Sequence, residues 1–215
     1  MQRDELVVLY ADDALLVLQK PAGLLSVPGR GEDKQDCVSA QALLQFSDAL
    51  VVHRLDMSTS GLMLMARGAL AQRRLNDAFA NRTVSKHYTA VIDGRPATLP
   101  DAWNLIDLPI AVDWPNRPRR VIDSVHGKPS QTLWRFLSHD EFENTTRVEL
   151  EPVTGRSHQL RVHMKAMGHA ILGDALYSCP RVESRSTRLL LHASSIEFTH
   201  PLENKVMKFT SEPPF

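Results

Sequence analysis

The chain has 215 residues, 43% of them hydrophobic and 23% charged, and its 25 basic and 25 acidic side chains cancel. That composition bounds it to one globular domain, or one domain with two lobes, around an ordinary core. It argues against a membrane protein, because no segment approaches the roughly 20 apolar residues that a span requires, and against a disulfide scaffold, because Cys37 and Cys179 are the only cysteines.

The start, Met1-Gln2-Arg3-Asp4-Glu5, is polar and unlike a secretory signal, so a reducing, cytoplasmic setting is the expectation. The zero net charge by itself does not favour a nucleic-acid partner, but the distribution of charge matters more than the sum. Residues 152–173 hold Arg156, Arg161 and Lys165 with no acid, and 114–122 hold Arg117, Arg119 and Arg120 with none. Residues 67–88 hold Arg67, Arg73, Arg74, Arg82 and Lys86 against Asp77 alone. A neutral protein with a basic face fits that pattern. Solvated helix faces that never converge fit it equally.

In chain order, residues 6–18 predict a β-hairpin around Ala11-Asp12-Asp13, closed by Lys20-Pro21-Ala22-Gly23. An irregular loop over 24–36 and a short helix over 38–46 follow. Residues 50–52 and 62–66 read as strands. Leu70, Leu75, Ala78 and Phe79 recur near helical spacing and predict an amphipathic helix over 69–81. A strand over 87–92, a loop over 95–104, and strands near 131–137 and 146–151 come next. Thr154-Gly155 turns into a helix near 157–167, with Leu160, Met164 and Met167 on one face and Gly168 at its end. The last strand lies within 189–198. Strands outnumber helices without regular β-α-β alternation. The fold class expected is α+β, with a mixed, largely antiparallel central sheet flanked by helices and loops, and two lobes around a cleft.

Several chemistries lack their residues. There is no G-x-G-x-x-G, no P-loop, no zinc-deaminase signature and no G-x-S-x-G elbow. His158 and His163 are five apart with no carboxylate beside them, which is poor spacing for a shared metal. No cofactor and no metal are expected.

One stretch concentrates chemistry. His53, Arg54 and Asp56 sit between two apolar runs, followed by Met57-Ser58-Thr59-Ser60-Gly61. A carboxylate there is costly to ionise unless compensated. An Asx-type turn with Thr59, Ser60 and Gly61 would compensate it locally. Arg54 shares a face with Asp56 on an extended chain, and the acid-free basic segment downstream offers a second cation. A carboxylate held ionised by arginine is a candidate nucleophile or base.

"HRLDMSTSGLMLMA" (53–66) closely resembles the H-R-L-D-x-x-T-S-G signature of the RluA-type pseudouridine synthases. "KPAGLLSVPGR" (20–30), "SKHYTAVIDG" (85–94), "GRSHQLRVHMKAMGHAILGDALY" (155–177) and "RLLLHA" (188–193) resemble further segments of that family, in family order. "DLPIAVDWPNRP" (107–118) and "GKPSQT" (127–132) are similar to its dual-specificity branch. Ala170 departs from the proline usual after Gly-His, away from the expected chemistry.

The resemblance implies isomerisation of uridine to pseudouridine in RNA, with 23S rRNA and the anticodon stem-loop of certain tRNAs as partners. It implies one catalytic domain over 1–215 with no S4-like RNA-binding domain before it. Asp56 would be the essential carboxylate. Arg161 would be its paired arginine, Arg54 would fill the space left by the flipped base, and Tyr88 would stack on the uracil. His53 would orient the loop. Monomer is the default expectation. A non-catalytic RNA-binding module, a glycoside hydrolase using Asp with Arg, and a family member with another RNA target are the competing readings. The second lacks the usual second carboxylate.

Overall fold

The computed structural model describes residues 6–97 and 102–215. In chain order it forms β1 (Val7–Ala11), β2 (Leu15–Lys20), α1 (Val38–Gln45), β3 (Ala49–Val51), β4 (Ser60–Arg67) and α2 (Ala69–Ala80). Then come β5 (Ser85–Asp93), β6 (Asn104–Asp107), β7 (Ile110–Val112), β8 (Arg120–Ile122), β9 (Gln131–Asp140) and β10 (Thr145–Pro152). The chain finishes with α3 (Gln159–Ala166), α4 (Pro180–Glu183), β11 (Leu191–Thr199) and β12 (Val206–Thr210). This is the α+β class expected, with mixed, mainly antiparallel strand pairing.

The residues cluster into two compact units. The first takes residues up to Lys86 together with His192–Pro214, and the second takes His87–Leu191 with Phe215.

In the first unit β4 is the organising strand. It pairs antiparallel with β2 and with β3, and parallel with β11 through His192↔Ser60 and Ala193↔Gly61. Its side chains alternate between two cores. Leu62, Leu64 and Ala66 pack with Ala71 and Leu75 of α2 and with Ile196 and Phe198 of β11. Met63 and Met65 pack with Val38 and Ala42 of α1. A strand covered on both faces has no polar side, which is why Leu62 to Ala66 reads as an unbroken apolar run.

Gly61 makes the parallel pairing possible. Its φ is +111°, and a Cβ there would lie 2.3 Å from the carbonyl oxygen of Ala193. Only glycine suits both the dihedral and the close approach.

In the second unit β5, β10, β9 and β6 pair antiparallel, and β7 and β8 form a separate two-stranded hairpin. Leu160 and Met164 of α3 pack on Ala90, Ile92, Trp134, Val148 and Leu150.

Some expectations need correction. Leu70 is 55% exposed, and Ala71 holds the buried position of α2 in its place. Met167 is 43% exposed because α3 ends at Ala166, with Gly168 beyond it at φ +84°. Strand β6 begins at Asn104, inside the predicted loop, whose 98–101 portion lies outside the described residues. Strands β7, β8 and β12 had no predicted counterpart. The first two are three residues each, too short to show a period of two.

Candidate active site

Asp56 lies in the first unit, on the irregular stretch between β3 and β4. The neighbouring side chains explain how that stretch is held. Lys20 is fully buried at the end of β2, and its Nζ donates to the carbonyls of Pro21 (2.8 Å), Met57 (2.9 Å) and Thr59 (2.7 Å). A buried ammonium needs such acceptors to be tolerated. Two of them, Met57 and Thr59, lie on either side of Ser58, so the charge cinches the turn that follows Asp56.

Ser26 secures the other side. Its Oγ donates to the Leu55 carbonyl (2.7 Å) and accepts from the Leu55 N–H (3.0 Å). Gly23 N–H donates to the Met57 carbonyl (2.8 Å). The "KPAGLLS" segment therefore works as a brace for "RLDM". With Leu55 buried, Arg54 is exposed and Asp56 half-buried.

Thr59 N–H donates to the backbone carbonyl of Asp56 (3.1 Å). The Ser60 Oγ lies 2.7 Å from Nδ1 of His192, whose Nε2 lies 2.9 Å from Ser211 Oγ. Gly61 serves the approach to β11.

His53 is a fixed acceptor. The Leu64 N–H donates to its Nε2 (2.8 Å), and its ring stacks on Phe79 with centroids 4.7 Å apart. Burial, with Lys86 nearby as a lesser cause, pushes its pKa down to about 3. It is neutral at physiological pH with Nε2 occupied, which suits loop orientation and not general-base work.

Tyr88 and Arg161 belong to the second unit. Tyr88 is half-buried on β5, opposite Leu150 of β10, and packs against the core beneath α3. Arg161 sits on α3 and is 4% exposed. Its Nε and Nη2 donate to Oδ2 and Oδ1 of Asp174 at 2.8 and 2.7 Å, a two-point carboxylate–guanidinium pair. Asp174 is 1% exposed and also accepts from the N–H groups of Leu176 (3.0 Å) and Tyr177 (3.2 Å). The Arg161 guanidinium lies 5.1 Å from the Tyr177 ring centroid. Tyr177 Oη in turn accepts from the Arg120 N–H (2.8 Å) and lies 2.6 Å from His158 Nδ1.

Asp174, Tyr177 and Lys20 were assigned no role from the sequence. The G-D-x-x-Y and K-P spacings were visible, but nothing in them told which cation or loop they serve.

The start of α3 is held by polar bonds inside the protein. Gln159 is buried, donates to the Gln131 carbonyl (2.9 Å) and Thr132 Oγ1 (3.0 Å), and accepts from Thr154 Oγ1 (2.7 Å) and the Arg156 N–H (3.0 Å). His163 Nε2 lies 2.9 Å from the Leu108 carbonyl, which can only accept, so that nitrogen carries the proton. Its Nδ1 faces Thr132 Oγ1 at 2.9 Å, and burial lowers its pKa. Among the described residues no three His, Cys, Asp or Glu side chains are grouped to hold a metal ion.

A family model for RNA pseudouridylate synthase matches residues 14–166, which include the braced Asp56 loop, Tyr88 and Arg161. The chain is 45% identical over 214 residues to the dual-specificity RNA pseudouridine synthase RluA of Escherichia coli K12, covering 100% of this chain and 96% of that one. It is also 45% identical over 210 residues to the protein of the same name from Yersinia pestis, covering 98% and 100%. Among solved structures, human RNA pseudouridylate synthase domain containing 1 superposes with a TM-score of 0.79 at 28% identity, over 98% of this chain and 84% of that one. With the family model spanning most of the chain and full-length relatives at this identity, the chain belongs to the RNA pseudouridylate synthase family.

Proposed function

We propose that this protein isomerises uridine to pseudouridine at defined sites in structured RNA, and that both 23S rRNA and a tRNA anticodon stem-loop are substrates. The observation that carries the reading is the H-R-L-D loop, braced by Lys20 and Ser26 and set in a chain matched end to end by dual-specificity relatives.

The reaction breaks the N1–C1′ glycosidic bond and forms a C5–C1′ bond. The proton on C5 is lost and N1 gains one, so the mass does not change and no co-reactant is needed. Asp56 is the carboxylate assigned to this chemistry; attack on the sugar, addition to the base and removal of a sugar proton all require it ionised and fixed in place. Its backbone is fixed by the two braces.

Arg54, exposed beside it, is assigned to the gap left when the uridine leaves its stack, a step that costs a few kcal/mol. Tyr88 is assigned to stacking on the uracil. Arg161 is assigned as the counter-cation of the carboxylate, and a guanidinium already held by Asp174 loses little further freedom in that role. These assignments rest on the motif positions. The free thiols of Cys37 and Cys179 suit a reducing cytoplasm. We propose that the protein acts there as a monomer.

The test is tritium release from RNA labelled at uracil C5, run separately on 23S rRNA fragments and on tRNA. Wild type should release tritium from both. Asp56→Asn should fall by about a hundredfold or more while still binding RNA. Normal turnover by a folded Asp56→Asn protein would remove Asp56 from the mechanism. Release from one RNA only would reduce the reading to single specificity.

A further inference from the structure

A groove of about 760 Å³ lies wholly within the second unit, between the β7–β8 hairpin and the loop that leads into α3. Its lining includes the cations Arg120, Lys128 and Arg156 and one carboxylate, Asp123. That carboxylate is committed to its own loop. Asp123 Oδ1 accepts from the N–H groups of Val125 (2.9 Å) and His126 (3.0 Å), and Oδ2 lies 3.5 Å from His126 Nδ1. The groove keeps an excess of positive charge.

Trp114 also lines the groove and is 66% exposed. The Arg117 guanidinium sits over its ring, 4.7 Å from the centroid. A single exposed tryptophan needs no explanation. A tryptophan steadied by a guanidinium in the wall of a concave, cation-rich groove is a different feature. Gly155 is also part of the lining, and a Cβ there would meet nothing within 4 Å, so the groove is open at that point. The volume falls inside the roughly 300–1,000 Å³ typical of ligand sites. An aromatic face beside clustered cations is what a nucleotide recognises, the base on the ring and the phosphate on the charges.

We propose that this groove takes one unpaired nucleotide of the RNA substrate, distinct from the reacting uridine, with its base stacked on Trp114 and its phosphate held by Arg120, Lys128 and Arg156. The proposal rests on the reading that this chain modifies RNA. Stacking accepts any base, so the groove sets the register of the RNA without reading its sequence.

The experiment uses the full chain, filter binding and C5 tritium release, on a tRNA anticodon stem-loop. Trp114→Ala should raise Kd and KM tenfold or more, with kcat at saturating RNA within about twofold of wild type. Trp114→Phe should keep most of the affinity. Phe142→Ala, which removes an aromatic ring that is 94% exposed in the β9–β10 turn, should change neither constant. Replacing Lys128 and Arg156 together by Gln should make the slope of log K against log salt shallower by up to about 1. One abasic substitution in the RNA should weaken binding to wild type as much as Trp114→Ala does, and add nothing on top of that variant.

The proposal is overturned if Trp114→Ala binds like wild type, or if no abasic position loses its effect in that variant. If wild type binds RNA but releases no tritium, the proposed function fails while the binding arm still decides the groove. If wild type binds no RNA, both fall.

Discussion

Arg161 and Asp174 form a charge pair almost without exposed surface, so neither can lose its partner cheaply. Removing one member of such a pair leaves the other buried and unmatched. Arg161→Met should therefore cost about 3–5 kcal/mol and lower the melting temperature by about 6–20 °C. Adding Asp174→Asn should recover part of that loss, because Asn keeps an acceptor for the Leu176 and Tyr177 N–H groups. A double variant as unstable as the single one would mean that charge mismatch is not the cause.

His53 gives a second residue-level expectation. Its pKa is about 3 in the folded protein against an ordinary 6.5, so the unfolded chain binds the proton more readily. Stability is then complete above pH 6.5 and falls as pH drops from 6.5 towards 3. His163, also lowered by burial, acts in the same direction. The His53 share should reach up to about 2 kcal/mol at pH 5, and urea titrations at pH 7.5 and pH 5 should show it. His53→Asn, which keeps an acceptor near the Leu64 N–H, should flatten the dependence. An unchanged slope would rule His53 out as its source.

At the scale of elements, strand β4 and the brace before it were unequally legible. The run from Leu62 to Ala66 announced a strand, and burial on both faces explains its lack of alternation. The three predicted helices were placed to within a residue or two and α4 was not predicted, while the buried face of α2 was misread by one position, at Leu70. Leucine is the better core residue by type, but packing against β4 selects the smaller Ala71. The brace was invisible for a different reason. Lys20 looks like a surface residue by type, and its three acceptors are carbonyls that carry no side-chain signature. Lys20→Met keeps much of the volume and removes the donors. Each stranded carbonyl costs about 1–3 kcal/mol, so the loss should total several kcal/mol in chemical denaturation. Stability within about 1 kcal/mol of wild type would mean that water replaces the ammonium at little cost.

At the scale of the whole molecule, the sequence suggested one domain with two lobes, and contacts group the described residues into two units. No linker marked their boundary, because the chain passes between them around Lys86 and His192, inside β5 and β11. Net charge was uninformative for a related reason: it averages over segments of opposite sign. Binding to RNA should fall steeply with salt although the net charge is zero, with a log–log slope of about −2 or steeper. A flat salt response would mean that the basic segments 67–86, 114–122 and 156–165 do not face the RNA.

The pairing of Ser60 and Gly61 with His192 and Ala193 also sets an order of events during synthesis. A ribosome makes residues 87–191 between one partner strand and the other. Until β11 emerges, the end of β4 next to the Asp56 loop has one edge without its neighbour, and Gly61 has no backbone to approach. A nascent chain without β11 should therefore lack the pairing that fixes the β4 end of the Asp56 loop.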